Sequence, residues 1–272
     1  MLAEAAGGVL AGSLALLADA GHMLTDAASL ALAWLAFKVA ARPSDWQRTY
    51  GFHRFQVLAA YTNGLTLAFI AVAILYEALQ RLREPVTVLA GPMLAIAVLG
   101  LAVNVAAFLA LHGAERDNLN VRGALLHVVG DLLGSLAAVL ASLVILWTGW
   151  TPIDPLLSVL VAGVILRSAW YLVRASGRIL LEAAPEGFDV REIARELAAI
   201  PGVEDVHHVH AWSLTQDKPL VTLHARIAEA AGADDAARIA ATIKAHLLRR
   251  HGIDHATVEI ERGVCADEAH RH

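Results

Sequence analysis

The chain has 272 residues, 57% of them hydrophobic and only 17% charged, with a formal net charge of −5. Soluble globular chains average roughly 45–50% apolar and about 25% charged residues, so an ordinary soluble enzyme and a disordered protein are both excluded. The acidic balance excludes nucleic acid as a partner, and a single cysteine, Cys265, excludes a disulfide scaffold. Thirteen histidines raise the question of metal binding before any motif is read.

The first apolar stretch, Met1–Leu10, is too short to span a bilayer, and Gly7, Gly8 and Gly12 suggest a turn after it. Five longer runs follow, approximately Ser13–Ala40, Phe52–Leu79, Val88–His112, Val121–Trp147 and Pro152–Ala175. Each supplies the roughly 20 helical residues needed to cross about 30 Å of hydrocarbon. They do not alternate in and out, and an open sheet cannot satisfy its backbone in lipid, so they are expected to be helices. Basic residues collect on one side. Lys38, Arg42, Arg48 and Arg54 follow the first long run, Arg116 and Arg122 precede the fourth, and Arg174 and Arg178 end the fifth. The other side carries only Arg81 and Arg83. The basic side, which holds the C-terminal region, is therefore cytoplasmic. Trp147 and Trp150 flank a short loop as interfacial aromatics do, and Thr151-Pro152 reads as an N-cap followed by a first-turn proline.

After Glu182 the composition becomes charged and mixed, with Pro185 and Gly187 as punctuation. This divides the chain into a transmembrane domain (1–180), a cytosolic domain (181–263) and a flexible tail (264–272) that includes His270 and His272. Val190–Ala199 has a helical apolar face. Val203–Leu214 alternates as a strand, Asp217-Lys218-Pro219 reads as a turn, and Leu220–Ala228 alternates again. Asp234–Arg250 is helical with Asp234 or Asp235 as its cap, and His255–Glu261 is a last strand. The order αββαβ over about 80 residues fits a ferredoxin-like α+β domain, a half-exposed sheet with two helices on one face. The expected fold is thus an α-helical membrane bundle with a C-terminal cytosolic α+β domain.

Ionisable residues inside a membrane helix cost about 2.5–3.5 kcal/mol on insertion scales and mark functional sites by default. His22 and Asp26 stand four apart on one expected helix, and His127 and Asp131 stand four apart on another. That spacing puts each pair on one helix face, one turn apart. Two such faces meeting would offer two imidazoles and two carboxylates, a tetrahedral N/O set suited to Zn²⁺. Gly21, Ser29, Gly130, Gly134 and Ser135 are small enough for close helix approach. Asp19, one turn before His22, reads equally as a hydrated helix-end carboxylate and as a group assisting metal release. Asn63 and Asn104 are expected to hydrogen-bond across helices, Glu77 to pair with Arg81, and Arg167 to snorkel to the cytoplasmic interface.

Beyond residue 200 lie nine of the histidines. His207, His208 and His210 share one strand; by period two, His208 and His210 share a face and His207 points the other way. His224 is on the next strand, Glu259 and Glu261 on the last. Three clustered histidines beside carboxylates favour metal binding.

The strings LLADAGHMLTDA, RTYGFHRFQVLAA, LNVRGALLHVVGDLLGS and VHHVHAWSL resemble the zinc-transporting branch of the cation diffusion facilitator family, over nearly the whole chain. The resemblance implies six transmembrane helices, a cytosolic ferredoxin-like domain, a homodimer and antiport of divalent metal against protons in the lipid bilayer of a bacterial inner membrane. It also implies that His22, Asp26, His127 and Asp131 form the transport site and that His207, His224 and Glu261 bind zinc in the cytosolic domain. His208, His210, His255, Glu259 and Cys265 are weaker members of that second set, and His53 is a weak candidate for a further linker-level site. The family has a complete helix before LLADAGHMLTDA where only about ten residues stand here, so the first helix is expected to be short. A membrane metallohydrolase would need an open coordination position and a general base, and no His-Glu-x-x-His or spare intramembrane glutamate supplies one. A zinc sensor without transport is the other alternative.

Overall fold

A computed structural model describes the backbone of residues 2–112 and 119–265; within it, the side chains at 22, 25, 26, 28–30, 33, 110–112, 119–130 and 133 lie outside the described residues. The tail histidines 270 and 272 and the loop arginine 116 also lie outside them. The chain divides into two compact units, Met1–Trp34 with Ala60–Val173, and Leu35–Ala59 with Arg174–His272.

Among the described residues, the membrane part has six helices: α1 (Leu2–Ala11), α2 (Leu14–Ala40), α3 (Arg54–Arg83), α4 (Ala90–His112), α5 (Leu119–Thr148) and α6 (Ile153–Leu180). At 1.5 Å per residue, α1 rises only about 15 Å, while α2 and α5 rise about 40 Å or more. Among the described residues, Arg54–Arg83, Ala90–Leu109 and Ile153–Leu180 are long and apolar enough to cross a membrane. Large apolar side chains such as Phe69, Leu160 and Trp170 are exposed on the helix surfaces, as lipid-facing residues are. Arg167 is likewise exposed.

Alanines make the helix contacts. Ala11, Ala15, Leu16, Met93, Ala97, Ala138 and Ala141 form one buried cluster joining α1, α2, α4 and α5. Leu14, Ala18, Ile74, Ala78 and Ala162 join α2 to α3 and α6. Small residues allow the close backbone approach that substitutes for hydrophobic driving force in lipid. Gly7 and Gly8 serve the same end, which corrects the expectation of a turn there. They lie inside α1, where a Cβ on Gly7 would strike Ile96 of α4 and one on Gly8 would meet Leu17. The turn is at Gly12 alone, with φ +69°. Its carbonyl accepts a hydrogen bond from Arg81 Nη1, while Arg81 Nε pairs with Glu77 at 2.9 Å as expected from their spacing.

The start of α2 is fastened to α6. Asp154 is fully buried in the first turn of α6. Its carboxylate accepts from Ser13 Oγ at 2.6 Å, from the Leu14 N–H at 2.8 Å and from the Ala15 N–H at 3.2 Å. These are donors that a helix N-terminus leaves without intrahelical partners, and a negative charge there also complements the helix dipole. Helix α6 begins one residue later than expected, at Ile153, with the Pro152 carbonyl accepting from the Leu156 N–H.

The C-terminal part follows the expected order: α7 (Val190–Ala198), β1 (Val203–Thr215), β2 (Lys218–Ile227), α8 (Ala233–His251) and β3 (His255–Arg262). The sheet order is β1-β2-β3, antiparallel between β1 and β2 and parallel between β2 and β3, with α8 as the crossover. Ile193 and Leu197 of α7 and Ile239, Ile243 and Leu247 of α8 pack on Val221, Leu223, Ala225 and Ile227 of β2. Both helices therefore cover one face of the sheet, and His224 and Glu261, out of phase with that set, lie on the other.

Two local details differ from expectation. Thr215 pairs with Lys218, so the turn is Gln216-Asp217 and Lys218-Pro219 already belong to β2. Pro219 is tolerated because β3 begins pairing only at Leu220, so its missing N–H breaks no ladder bond on that side. The N-cap of α8 is Gly232, not Asp234 or Asp235; Asp235 reaches back from the first turn to accept from the Gly232 N–H at 3.4 Å. Asp189 caps α7, accepting from the Arg191 and Glu192 N–H groups.

Candidate metal sites

In the membrane part, the contact between α2 and α5 is set by Asp19. This side chain is 6% exposed, so the reading of a hydrated helix-end carboxylate is corrected: it is packed between helices. Ser135 Oγ donates to Asp19 Oδ2 at 3.4 Å and accepts from Asn104 Nδ2 at 3.0 Å. Asn104 thus links α4 to α5, as expected of it. Gly134 allows this approach, since a Cβ there would lie 3.0 Å from Asp19 Oδ1. Nearer the start of α2, Ala15 and Leu16 share a cluster with Ala138 and Ala141. The two contacts run in opposite chain directions, so α2 and α5 are antiparallel neighbours.

Continued straight by one and two turns from this contact, antiparallel helices would carry residues 22 and 26 of α2 toward residues 131 and 127 of α5. Asp131 is buried at 9% exposure, one turn before Ser135. The side chains of His22, Asp26 and His127 lie outside the described residues.

The second cluster is on the open face of the C-terminal sheet. His207 Nε2 lies 2.9 Å from Glu261 Oε2, and His224 Nδ1 lies 2.8 Å from Glu261 Oε1. Cys265 Sγ is 3.8 Å from His224 Nδ1. One ligand atom from each of the four falls within 4.8 Å of the others. Among the described residues, His207 Nε2 and Glu261 Oε2 are buried yet form no properly aligned hydrogen bond, although they nearly touch. A buried imidazole nitrogen and carboxylate oxygen that converge without bonding each other suit a shared cation, and an N₂OS set suits Zn²⁺. Burial alone would raise the Glu261 carboxyl. Hydrogen bonds from Cys265 and His224 and the nearby His207 more than offset it and hold the group below its ordinary range, ready as a ligand.

Strand β1 does not alternate through this region, which corrects the expected division of its histidines. His207 pairs with His224 and His210 with Thr222, so three steps on β1 match two on β2. His208 is the extra residue of this β-bulge and takes a left-handed backbone, φ 48°. The bulge turns His207 and His208 to the same side. Their rings lie 5.6 and 5.1 Å from that of His224. His208 is thus beside the cluster, and Glu259 Oε2 lies 3.5 Å from His224 Nε2. The other expected members are not brought in. His210 is an exposed residue opposite Thr222. His255 opens β3 six residues before Glu261, about 20 Å away along the strand, and stacks edge-on with Tyr50. His53 accepts from Lys218 Nζ at 3.2 Å rather than joining other ligands.

Asp205 was missed by the sequence reading. Its Oδ2 lies 3.0 Å from His207 Nδ1, where a carboxylate fixes the orientation of the imidazole. A carboxylate two residues before a histidine on a strand is the signal that would have found it.

The profile of the cation efflux transmembrane domain matches residues 1–181, and that of the cation efflux protein cytoplasmic domain matches residues 185–263. The chain belongs to the cation efflux family. Among the relatives of this family member, the zinc transporter ZitB of Escherichia coli (strain K12) is 48% identical over 267 residues, 97% of this chain and 84% of that one. The cadmium, cobalt and zinc/H(+)-K(+) antiporter of Bacillus subtilis (strain 168) is 40% identical over 274 residues, 100% of this chain and 86% of that one. Among solved structures, the metal-bound C-terminal domain of the CzcD transporter from Cuprividus metallidurans is 28% identical, covering 27% of this chain and 99% of that one, with a TM-score of 0.25.

Proposed function

We propose that this chain exports Zn²⁺ from the cytosol in exchange for protons, gripping the ion with His22, Asp26, His127 and Asp131. It is a divalent-metal efflux transporter of the cation efflux family and not an enzyme, integral to the membrane with its C-terminal domain cytoplasmic. The observation that supports the four-ligand site is the Asp19–Ser135 contact between α2 and α5, from which straight continuation of both helices would carry the two His–Asp turns toward each other. The reading includes a transmembrane domain over 1–180, a cytosolic domain over 181–263 and a tail over 264–272. It also includes a homodimer in a bacterial inner membrane.

The chemistry couples the two ions. Metal binding needs neutral imidazole and ionised carboxylate, so binding displaces protons. Histidine titrates near neutrality, which lets protons compete for the same atoms when the site faces outward. Rocking one group of helices against another opens a midplane site to either side in turn. The test is zinc flux in proteoliposomes: zinc entry with opposite proton movement is expected. Zinc movement without proton movement would reject the antiport, and no zinc movement would reject transport.

His207, His224, Glu261 and Cys265 are proposed to hold a resident Zn²⁺, with Asp205 orienting His207. Loading this cluster is proposed to tighten the homodimer and bias the rocking, a coupling of about 1–3 kcal/mol if it is typical of allostery. Glu261→Gln should weaken zinc binding at this cluster by at least about 10–100-fold, since even outer-shell partners of a metal are worth that much. Competition of the full chain against a fluorescent chelator reads this directly; an unchanged affinity would remove Glu261 from the ligand set.

A further inference from the structure

We propose that Glu196, His246 and His251 form a further metal site, for Zn²⁺ or a similar transition ion, on the helix-covered side of the C-terminal domain. Glu196 is on α7 and both histidines are on α8. His246 Nε2 lies 3.0 Å from Glu196 Oε2 and His251 Nε2 lies 2.9 Å from the same oxygen. One ligand atom from each falls within 4.8 Å of the others. Two imidazoles converging on one carboxylate oxygen place three donors near the corners of a tetrahedral face, whose edges around a zinc with bonds of about 2.1 Å measure roughly 3.4 Å. A cation entering the centre needs only a small outward movement of the rings.

The surroundings fit this reading. Arg250 Nε lies 3.2 Å from Glu196 Oε1, so the guanidinium holds the far oxygen and leaves Oε2 facing the imidazoles. The Phe188 ring stands 6.0 Å from that of His251 and shields one side. The three side chains are 19–28% exposed, which leaves a fourth position open to water. Three protein donors with water, and a guanidinium close by, make a weaker and more reversible site than the sheet-face cluster. The two are separated by the sheet and its apolar core, because Glu261 and His224 face away from α7 and α8. The ion would fasten α7 to α8 across 50 residues of chain.

The experiment maps histidine carbethoxylation by diethyl pyrocarbonate in the full chain in detergent, with added Zn²⁺ as the only probe, read by peptide mass spectrometry. Zinc should slow labelling of His246 and His251 at least about fivefold near saturation, since protection follows 1 + [Zn]/Kd. That protection should appear at higher zinc than protection of His207 and His224. In Glu196→Gln it should vanish at His246 and His251 while persisting at His207 and His224, which also reports that the domain is folded. Labelling of His246 and His251 in the unmodified chain that is indifferent to zinc would overturn the proposal, as would undiminished protection in Glu196→Gln. Flux is not measured, so neither outcome depends on the transport reading.

Discussion

Asp131→Ala should abolish zinc transport while leaving the protein as stable as before, or more so. The expected fall in proteoliposome flux is at least about 100-fold, because the change removes a proposed direct ligand and even outer-shell partners are worth roughly 10–100-fold in affinity. The lost carboxylate is also one of two charges that complement a divalent ion in a medium where ions are otherwise poorly solvated. Stability should move the other way. Asp131 is buried at 9% exposure in an apolar helix, and a carboxylate there costs about 2.5–3.5 kcal/mol on insertion scales. Removing it relieves that cost, as expected where function is bought with stability. Flux and thermal midpoint in detergent, measured on the same preparation, check both signs. Retained flux would remove Asp131 from the transport site; a large fall in the midpoint would make it a structural residue.

Asp154→Ala should show the reverse pattern. This carboxylate is fully buried and holds Ser13 and the Leu14 and Ala15 N–H groups at the start of α2. Its removal leaves three buried donors without an acceptor, at about 1–3 kcal/mol each, so a loss of about 3–9 kcal/mol is expected. Asp154→Asn keeps one acceptor oxygen and should fall between the two. The readouts are again the thermal midpoint and the flux of the fraction that remains folded. That fraction should retain transport with a lowered affinity at most, since Asp154 touches no proposed ligand among the described residues. Loss of transport at an unchanged midpoint would assign Asp154 a role in the ion path.

These two acids were not equally legible in the sequence. Asp131 stands four residues after a histidine in an apolar run, so spacing alone marked it. Asp154 stands alone in the first turn of a helix, where an acid is commonplace, and its partners are about 140 residues away in the chain. No local pattern connects the two ends. The helices themselves were legible because long apolar runs have few alternatives in lipid. The α7 and α8 stripes were legible because Ile193, Leu197, Ile239, Ile243 and Leu247 keep helical spacing. The histidine strand was only half legible. Period two is a property of uninterrupted ladders, and β1 is interrupted between Val203 and Asp205, between His207 and His210, and near Thr215. Val203, Val206 and Val209 pack toward the helices three residues apart, a spacing possible only across such interruptions. Of the two readings open for Asp19, the hydrated carboxylate fails because a serine and a glycine on α5, invisible to local spacing, make room for it between helices.

The left-handed residue at position 208 constrains how this gene can drift. Parity along a strand decides which side chains meet the oily interior and which meet the open face. With the supernumerary residue in place, Val206 and Val209 both serve the interior while His207, between them, faces Glu261 on the open side of the sheet. Chemistry at 208 is negotiable among residues that accept a left-handed backbone, but length is not. A single-codon deletion there would swap inside for outside over the preceding half of the strand, a larger insult than most substitutions at the proposed ligands themselves.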